Sequence, residues 1–97
     1  MESRKFTFYL GHDNDTLRAF DEDDVIRFFK RYFDGFTIIK NYGYFGEVEE
    51  GYKIEHIQTK YKQLSGIRYC KNIKKDAEEY FEQDSVLFTI SRVNMFM

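Results

Sequence analysis

Apolar and polar residues alternate strictly near the start of the chain. In the run KFTFYL, residues 5–10, the side chains of Phe6, Phe8 and Leu10 share one side and Tyr9 faces the other. A period of two residues is typical of a β-strand with one buried face. The pattern therefore predicts a first strand whose second face is solvated.

The next apolar residues recur at a spacing of three to four. They follow a polar loop and extend from Val25 to Phe33. Asp21 is suited to be the N-cap of a helix here, and Gly35 is a C-terminal stop signal. The pattern predicts a first helix that begins after Asp21 and ends before Gly35.

Two runs rich in β-branched and aromatic residues come next, at residues 36–44 and 52–59. The sequence Glu-Glu-Gly at residues 49–51 separates them and is expected to form the turn of a β-hairpin. With the turn centred there, Tyr52 would face positions 46 to 48 of the opposite arm.

Residues 60–71 have no clear period and contain Ser65-Gly66. They are expected to form either an extended loop or a further hairpin arm. Asn72 then caps a second helix, and residues 85–90 form a closing strand. The inward positions of the second helix are Ile73, Ala77, Tyr80 and Phe81.

The predicted order of elements is β-α-β-β-α-β within one domain, residues 1–97. Two helices on one face of a four-stranded, mainly antiparallel sheet give a ferredoxin-like α+β sandwich. Such an arrangement leaves the other sheet face uncovered, and that face is the first place to expect a function.

Composition narrows the class of protein. Aromatic residues make up 20% of the chain and the net charge is −2, which excludes the globally basic surface of a protein that binds mainly by neutralising phosphates. No apolar run approaches the roughly 20 residues that span a bilayer, so we expect a cytoplasmic protein without a membrane partner. The single cysteine, Cys70, cannot form an internal disulfide and is expected to be buried.

Residues with catalytic chemistry are few. Neither His12 nor His56 has a nucleophile at a recognisable spacing, and the sequence lacks a phosphate-binding glycine loop and a nucleophile elbow. The acidic run at residues 21–24 fits the first turn of a helix, where the macrodipole favours carboxylates, better than a calcium loop. We therefore predict a protein that is not an enzyme and uses no cofactor or metal.

Tyrosines and glutamates supply candidate contacts for a partner. Tyrosine offers a large contact area at low entropic cost, and acidic groups orient a partner. An unpaired sheet face also predicts self-association as a two-fold dimer. The predicted partner-binding residues are Tyr9, Tyr42, Tyr44, Tyr52, Glu47, Glu49 and Glu50.

A basic cluster near the predicted start of the second helix suggests a different class of function. Lysines beside exposed N–H groups at a helix start can bind an anion, such as a nucleotide signal or a short nucleic acid. The structural alternative is that Lys74 and Lys75 form i,i+4 ion pairs with Glu78 and Glu79. The candidate anion-binding residues are Arg68, Lys71, Lys74 and Lys75.

Three short motifs resemble a loose group of small proteins carried by phages and prophages. They are the strand that ends in Gly11, the "GxTI" strand at residues 35–39, and the "QDSVL" strand entry at residues 83–87. The group is similar in kind to inhibitors of host defence, which include anti-CRISPR proteins. The resemblance implies a binding protein that acts in the host cytoplasm and inhibits a host defence protein by surface contact.

Overall fold

The computed structural model describes residues 2–44 and 48–93. Its elements follow the predicted order β-α-β-β-α-β. They are β1 (Arg4–Leu10), α1 (Glu22–Phe29), β2 (Thr37–Tyr44), β3 (Val48–Gln58), α2 (Gln63–Tyr80) and β4 (Leu87–Arg92).

The four strands form one sheet in the order β2-β3-β1-β4, and all neighbouring strands are antiparallel. The prediction of an α+β fold with a four-stranded antiparallel sheet and two helices is confirmed. None of the helices described is both long and apolar enough to cross a membrane.

The core lies between the helices and one face of the sheet. Phe6, Phe8 and Leu10 of β1 are buried on that face, as the alternating pattern predicted. The Phe8 ring lies 5.7 Å from the Phe29 ring of α1. α2 adds Ile73, which is also fully buried, to the same cluster. Burying a side chain of this size contributes roughly 1.5–3 kcal/mol, so this one cluster is a main source of stability.

α1 begins where the sequence predicted but is shorter. Its first turn carries three acidic residues, which the helix macrodipole favours, and Asp21 is the N-cap residue, without a side-chain capping hydrogen bond. The regular helix ends at Phe29, and the backbone N–H of Phe33 donates to the carbonyl of Phe29 at 3.0 Å. This last turn brings the Phe33 ring to 6.1 Å from that of Phe8.

The predicted position of the hairpin turn is wrong. Glu49 and Glu50 lie inside β3, where they pair with Gly43 and Tyr42, and the pairing of the two strands extends beyond them to Tyr44 and Val48. Gly51 also lies inside β3 and is not a turn residue. A Cβ atom at this position would lie 2.2 Å from the carbonyl oxygen of Leu10. Glycine is required at this position because the end of β1 approaches the β3 backbone closely.

The predicted structure of residues 60–71 is also wrong, since α2 begins at Gln63 and Asn72 lies in its interior. Cys70, Ile73 and Ala77 form the buried side of the helix, and no residue before Cys70 is buried. Leu64, Ile67 and Cys70 lie three residues apart, so the helical spacing is present in the first two turns, but Ser65-Gly66 between them has the local signature of a break. Tyr80, predicted to point inward, is 46% exposed.

Candidate functional site

The face of the sheet opposite the core is called the open face. Strand register places Ile39, Lys53, Tyr9 and Leu87 side by side on it, one from each strand, and these four are called the apolar row. Tyr9 is 36% exposed, Ile39 38% and Leu87 65%. Lys53 can extend its methylene groups along the row while its ammonium reaches water. Exposed apolar side chains thus lie together across the full width of the sheet.

The neighbouring row on the open face is polar. It consists of Thr37, Glu55, Thr7 and Thr89. The Glu55 carboxylate pairs with the Lys5 ammonium at 2.9 Å, and Thr7 is only 3% exposed. Because removing apolar surface from water is favourable, the apolar row is the part of the open face that would gain most from being covered.

A groove with a volume of about 300 Å³ adjoins the apolar row at the end of β1. Tyr9 and Leu87 line one part of it, and the backbones of Gly43 and Gly51 line another. Because a Cβ atom at Gly51 would collide with the carbonyl oxygen of Leu10, this position stays free of a side chain. The close contact of two strands therefore keeps the groove open.

The groove is acidic. Glu49 and Glu50 line it, and none of the described residues that line it is a lysine or an arginine. The Glu49 carboxylate lies 3.5 Å from Nε2 of His12, and Gln83 donates a hydrogen bond to the carbonyl of His12 at 2.9 Å. Gln83 thereby holds the loop before β4 against the end of β1. The site can accept a cationic group beside an apolar surface.

The structure brings together three of the predicted partner-binding residues, since Tyr9, Glu49 and Glu50 all line the groove. Tyr42 is 61% exposed but lies on the opposite face of the sheet from Tyr9. It is four residues after Ile38 in β2, so both side chains are on the face that carries the core. Tyr44 is the last residue of β2. Glu47 lies outside the described residues.

Tyr52 is a core residue, and its prediction as a partner contact is wrong. It is 6% exposed, and its hydroxyl donates a hydrogen bond to the carbonyl of Phe20 at 2.8 Å. Burial raises the pKa of this phenol, and the nearby carboxylates of Glu22, Asp21 and Glu50 raise it further. The incorrect turn position caused this error.

Sequence reasoning missed two members of the apolar row: Leu87, which pairs with Tyr9, and Ile39, which lies beyond Lys53 on the outer strand β2. The signal was present in part: Leu87 precedes the inward-facing Phe88 in an alternating strand, so it had to face the other side. Its proximity to Tyr9 depends on the pairing of β4 with β1, which the strand pattern alone does not give.

The predicted anion site at the start of the second helix is also wrong in its geometry. Lys71, Lys74 and Lys75 lie in the interior of α2, where the backbone N–H groups are bonded within the helix. Lys74 forms an ion pair with Glu78, whose carboxylate also accepts the backbone N–H of Val86 at 2.9 Å. This pair joins α2 to the entry of β4, so Lys74 has a structural role.

The one cysteine lies in the core. Cys70 is fully buried, and burial raises the pKa of its thiol to about 12, so it remains protonated at neutral pH. In residues 2–44 and 48–93, no group of three His, Cys, Asp or Glu side chains could hold a metal ion. Comparisons with protein-family models, curated proteins and solved structures found no match.

Proposed function

We propose that this chain is a non-enzymatic protein-binding module that holds its partner on the open face. The observation that carries the proposal is the apolar row, in which Tyr9 and Leu87 are exposed side by side, with Ile39 beyond Lys53, next to an acidic groove. A tyrosine beside aliphatic side chains within one contact region is typical of a protein interface.

The groove specifies the chemistry of the partner. A side chain of lysine or arginine would fit a groove of about 300 Å³ that contains Glu49 and has neither lysine nor arginine among the lining residues that the structure describes. An apolar surface on the same partner would cover Tyr9 and Leu87. We therefore expect a partner whose contact surface has a basic residue beside an apolar patch, since charge complementarity sets orientation and apolar burial supplies affinity.

The biological role that we propose is inhibition of a host defence protein by occupying its surface. Its support is the resemblance of the strand-end motifs at residues 35–39 and 83–87 to small phage proteins. Binding of this kind requires no catalytic group. We also infer a ferredoxin-like arrangement, which is supported by the β-α-β-β-α-β order and by one core shared between both helices.

The test compares two exposed leucines. Leu87 is 65% exposed in the apolar row, whereas Leu64 is 81% exposed on α2, so neither contributes much to the core. Tagged wild-type protein, Leu87→Glu and Leu64→Glu are used to capture proteins from a bacterial host lysate, and the affinity for the captured protein is then measured. Losing an interface anchor of about 2 kcal/mol weakens binding roughly 30-fold.

We expect Leu87→Glu to lose the partner and Leu64→Glu to retain it. Equal capture by both variants would show that the open face is not the binding surface. Sedimentation of the wild-type protein separates another outcome: a dimer that Leu87→Glu dissociates would make the open face a contact between two copies of this chain.

A further inference from the structure

A second cavity lies at the opposite end of the sheet from the groove and is called the aromatic cavity. Its volume is about 470 Å³, and it is bounded by the connection after α1, the end of β3 and the first turns of α2. This size falls within the range of pockets that hold small molecules. Its aromatic lining includes Phe33, His56, Tyr61 and Tyr69.

The rings of this cavity are fixed in position. The His56 ring stacks on Phe33 with centroids 4.0 Å apart, and its Nδ1 lies 2.7 Å from the carbonyl oxygen of Gly35. The Tyr69 hydroxyl donates to the carbonyl of Tyr32 at 2.6 Å. A ring that is already immobilised loses little conformational entropy when a ligand stacks on it.

Gly66 explains how Tyr61 enters the lining. A Cβ atom at residue 66 would lie 2.4 Å from Cε1 of Tyr61, so only glycine lets this ring lie against the backbone of α2. Tyr61 also meets the Phe6 ring edge to face, at 6.0 Å. A glycine in the second turn of a helix weakens the helix, but here it allows the Tyr61 ring to line the cavity.

The charge at the rim is positive. Lys60 and Lys62 line the aromatic cavity, and Asp34 is the one carboxylate among the described lining residues. Neither lysine forms an ion pair with another described residue. Lys60 also has a φ of 57°, a left-handed conformation that is uncommon for residues other than glycine. A negatively charged group would find two available ammonium groups here.

We propose that the aromatic cavity binds a small planar aromatic molecule that carries a negatively charged group. The ring of the ligand stacks on the tyrosine and histidine side chains, and its charged group meets Lys60 and Lys62. This site shares no residue with the groove or the apolar row. It is therefore independent of the function proposed for the open face.

Calorimetric titration tests this proposal with adenosine monophosphate as the probe, at low salt. We expect a dissociation constant below about 1 mM. Adenosine, which lacks the charge, and inorganic phosphate, which lacks the ring, are each expected to bind at least about 10-fold more weakly, because each omits one half of the recognition.

Two lysine variants locate the site. Lys62→Glu reverses a charge at the rim and should weaken the binding of adenosine monophosphate at least about 10-fold. Lys75→Glu makes the same change on the same helix but about 13 Å further along its axis than Gly66, and should leave the affinity within about twofold. If Lys62→Glu does not fold, Lys62→Gln provides the same comparison.

Three results would overturn the proposal. The first is no heat with the wild-type protein at millimolar probe. The second is equal weakening by the Lys62 and Lys75 variants, which would indicate diffuse attraction. The third is inorganic phosphate binding as tightly as adenosine monophosphate, because the aromatic cavity would then contribute nothing.

Discussion

Tyr52 and Tyr42 give a direct test of the hairpin register. Tyr52 pairs with Lys40 and is 6% exposed, whereas Tyr42 pairs with Glu50 and is 61% exposed. Replacing a buried aromatic ring with alanine costs about 3–5 kcal/mol, so we expect Tyr52→Ala to remove a large part of the free energy of unfolding. Tyr42→Ala should change it by about 0.5 kcal/mol or less.

The conservative variant Tyr52→Phe separates the ring from its hydroxyl. The ring remains in the core, but the hydrogen bond of 2.8 Å to the carbonyl of Phe20 is lost. The carbonyl then has to find another donor, at a cost of about 0.5–1.5 kcal/mol. The expected order of destabilisation is therefore Tyr52→Ala, then Tyr52→Phe, then Tyr42→Ala.

Urea unfolding followed by circular dichroism at pH 7 measures all three variants against the wild-type protein, with the slope of the transition as a check that the unfolded state is unchanged. A turn centred on Glu49 and Glu50 would place Tyr52 near the exposed tip of the hairpin. If Tyr52→Ala cost less than Tyr42→Ala, the observed register of β2 and β3 would be refuted.

Three further predictions concern stability. Glu78→Gln should cost about 1 kcal/mol, because Glu78 pairs with Lys74 and accepts the N–H of Val86. The hydrogen bond from Lys74, followed by that from Val86, lowers the pKa of Glu78. The free energy of unfolding of the wild-type protein should therefore decrease towards that of the variant as pH falls below about 4.5. An identical dependence of unfolding free energy on acid pH in both proteins would contradict this. At alkaline pH, burial raises the pKa of Cys70 and of Tyr32 to about 12 each. The unfolded chain ionises first, so unfolding free energy is retained below about pH 9. It should then fall by up to about 1.4 kcal/mol per pH unit for Cys70 above about pH 9 and for Tyr32 above about pH 10, and urea midpoints that stay constant to pH 11 would refute this. Glu82 has a φ of 52°, a left-handed backbone conformation that glycine adopts at lower cost. Glu82→Gly should therefore raise the melting temperature, by an amount equivalent to up to about 1 kcal/mol. A lowered melting temperature would show that the turn is unstrained.

The sequence was sufficient for elements whose period is uninterrupted. The alternation of Phe6, Phe8 and Leu10 identified β1 and its buried face, and Asp21 with the acidic turn after it identified the start of α1. Both depend on contacts within a few residues. The groove was only partly predictable: Tyr9 and Glu49 could be named as surface contacts, but they meet because β1 pairs with β3, which is a long-range event.

The errors at the hairpin turn and at residues 60–71 share one cause, which is the interpretation of a glycine as the end of a regular element. Gly51 follows two glutamates and has the local signature of a turn, and Gly66 follows a serine and has the signature of a break. Each lies inside a regular element instead. Glycine is needed there because a neighbour occupies the space that a side chain would fill: the carbonyl oxygen of Leu10 at Gly51 and the ring of Tyr61 at Gly66. Such contacts come from chain segments distant in sequence or from an adjoining loop, so local propensity gives no sign of them.

The same two glycines lie beside the two concave sites. Gly51 lines the acidic groove and Gly66 lines the aromatic cavity. A position without a side chain weakens a strand or a helix, so each element gives up some local stability there. Since natural sequences tend to depart from local rules where a site has to be shaped, these departures favour the groove and the aromatic cavity over the regular surface of α2 as places where this protein binds. The lysines at the centre of α2 show the converse, because Lys74 obeys the ordinary i,i+4 rule with Glu78 and secures the fold.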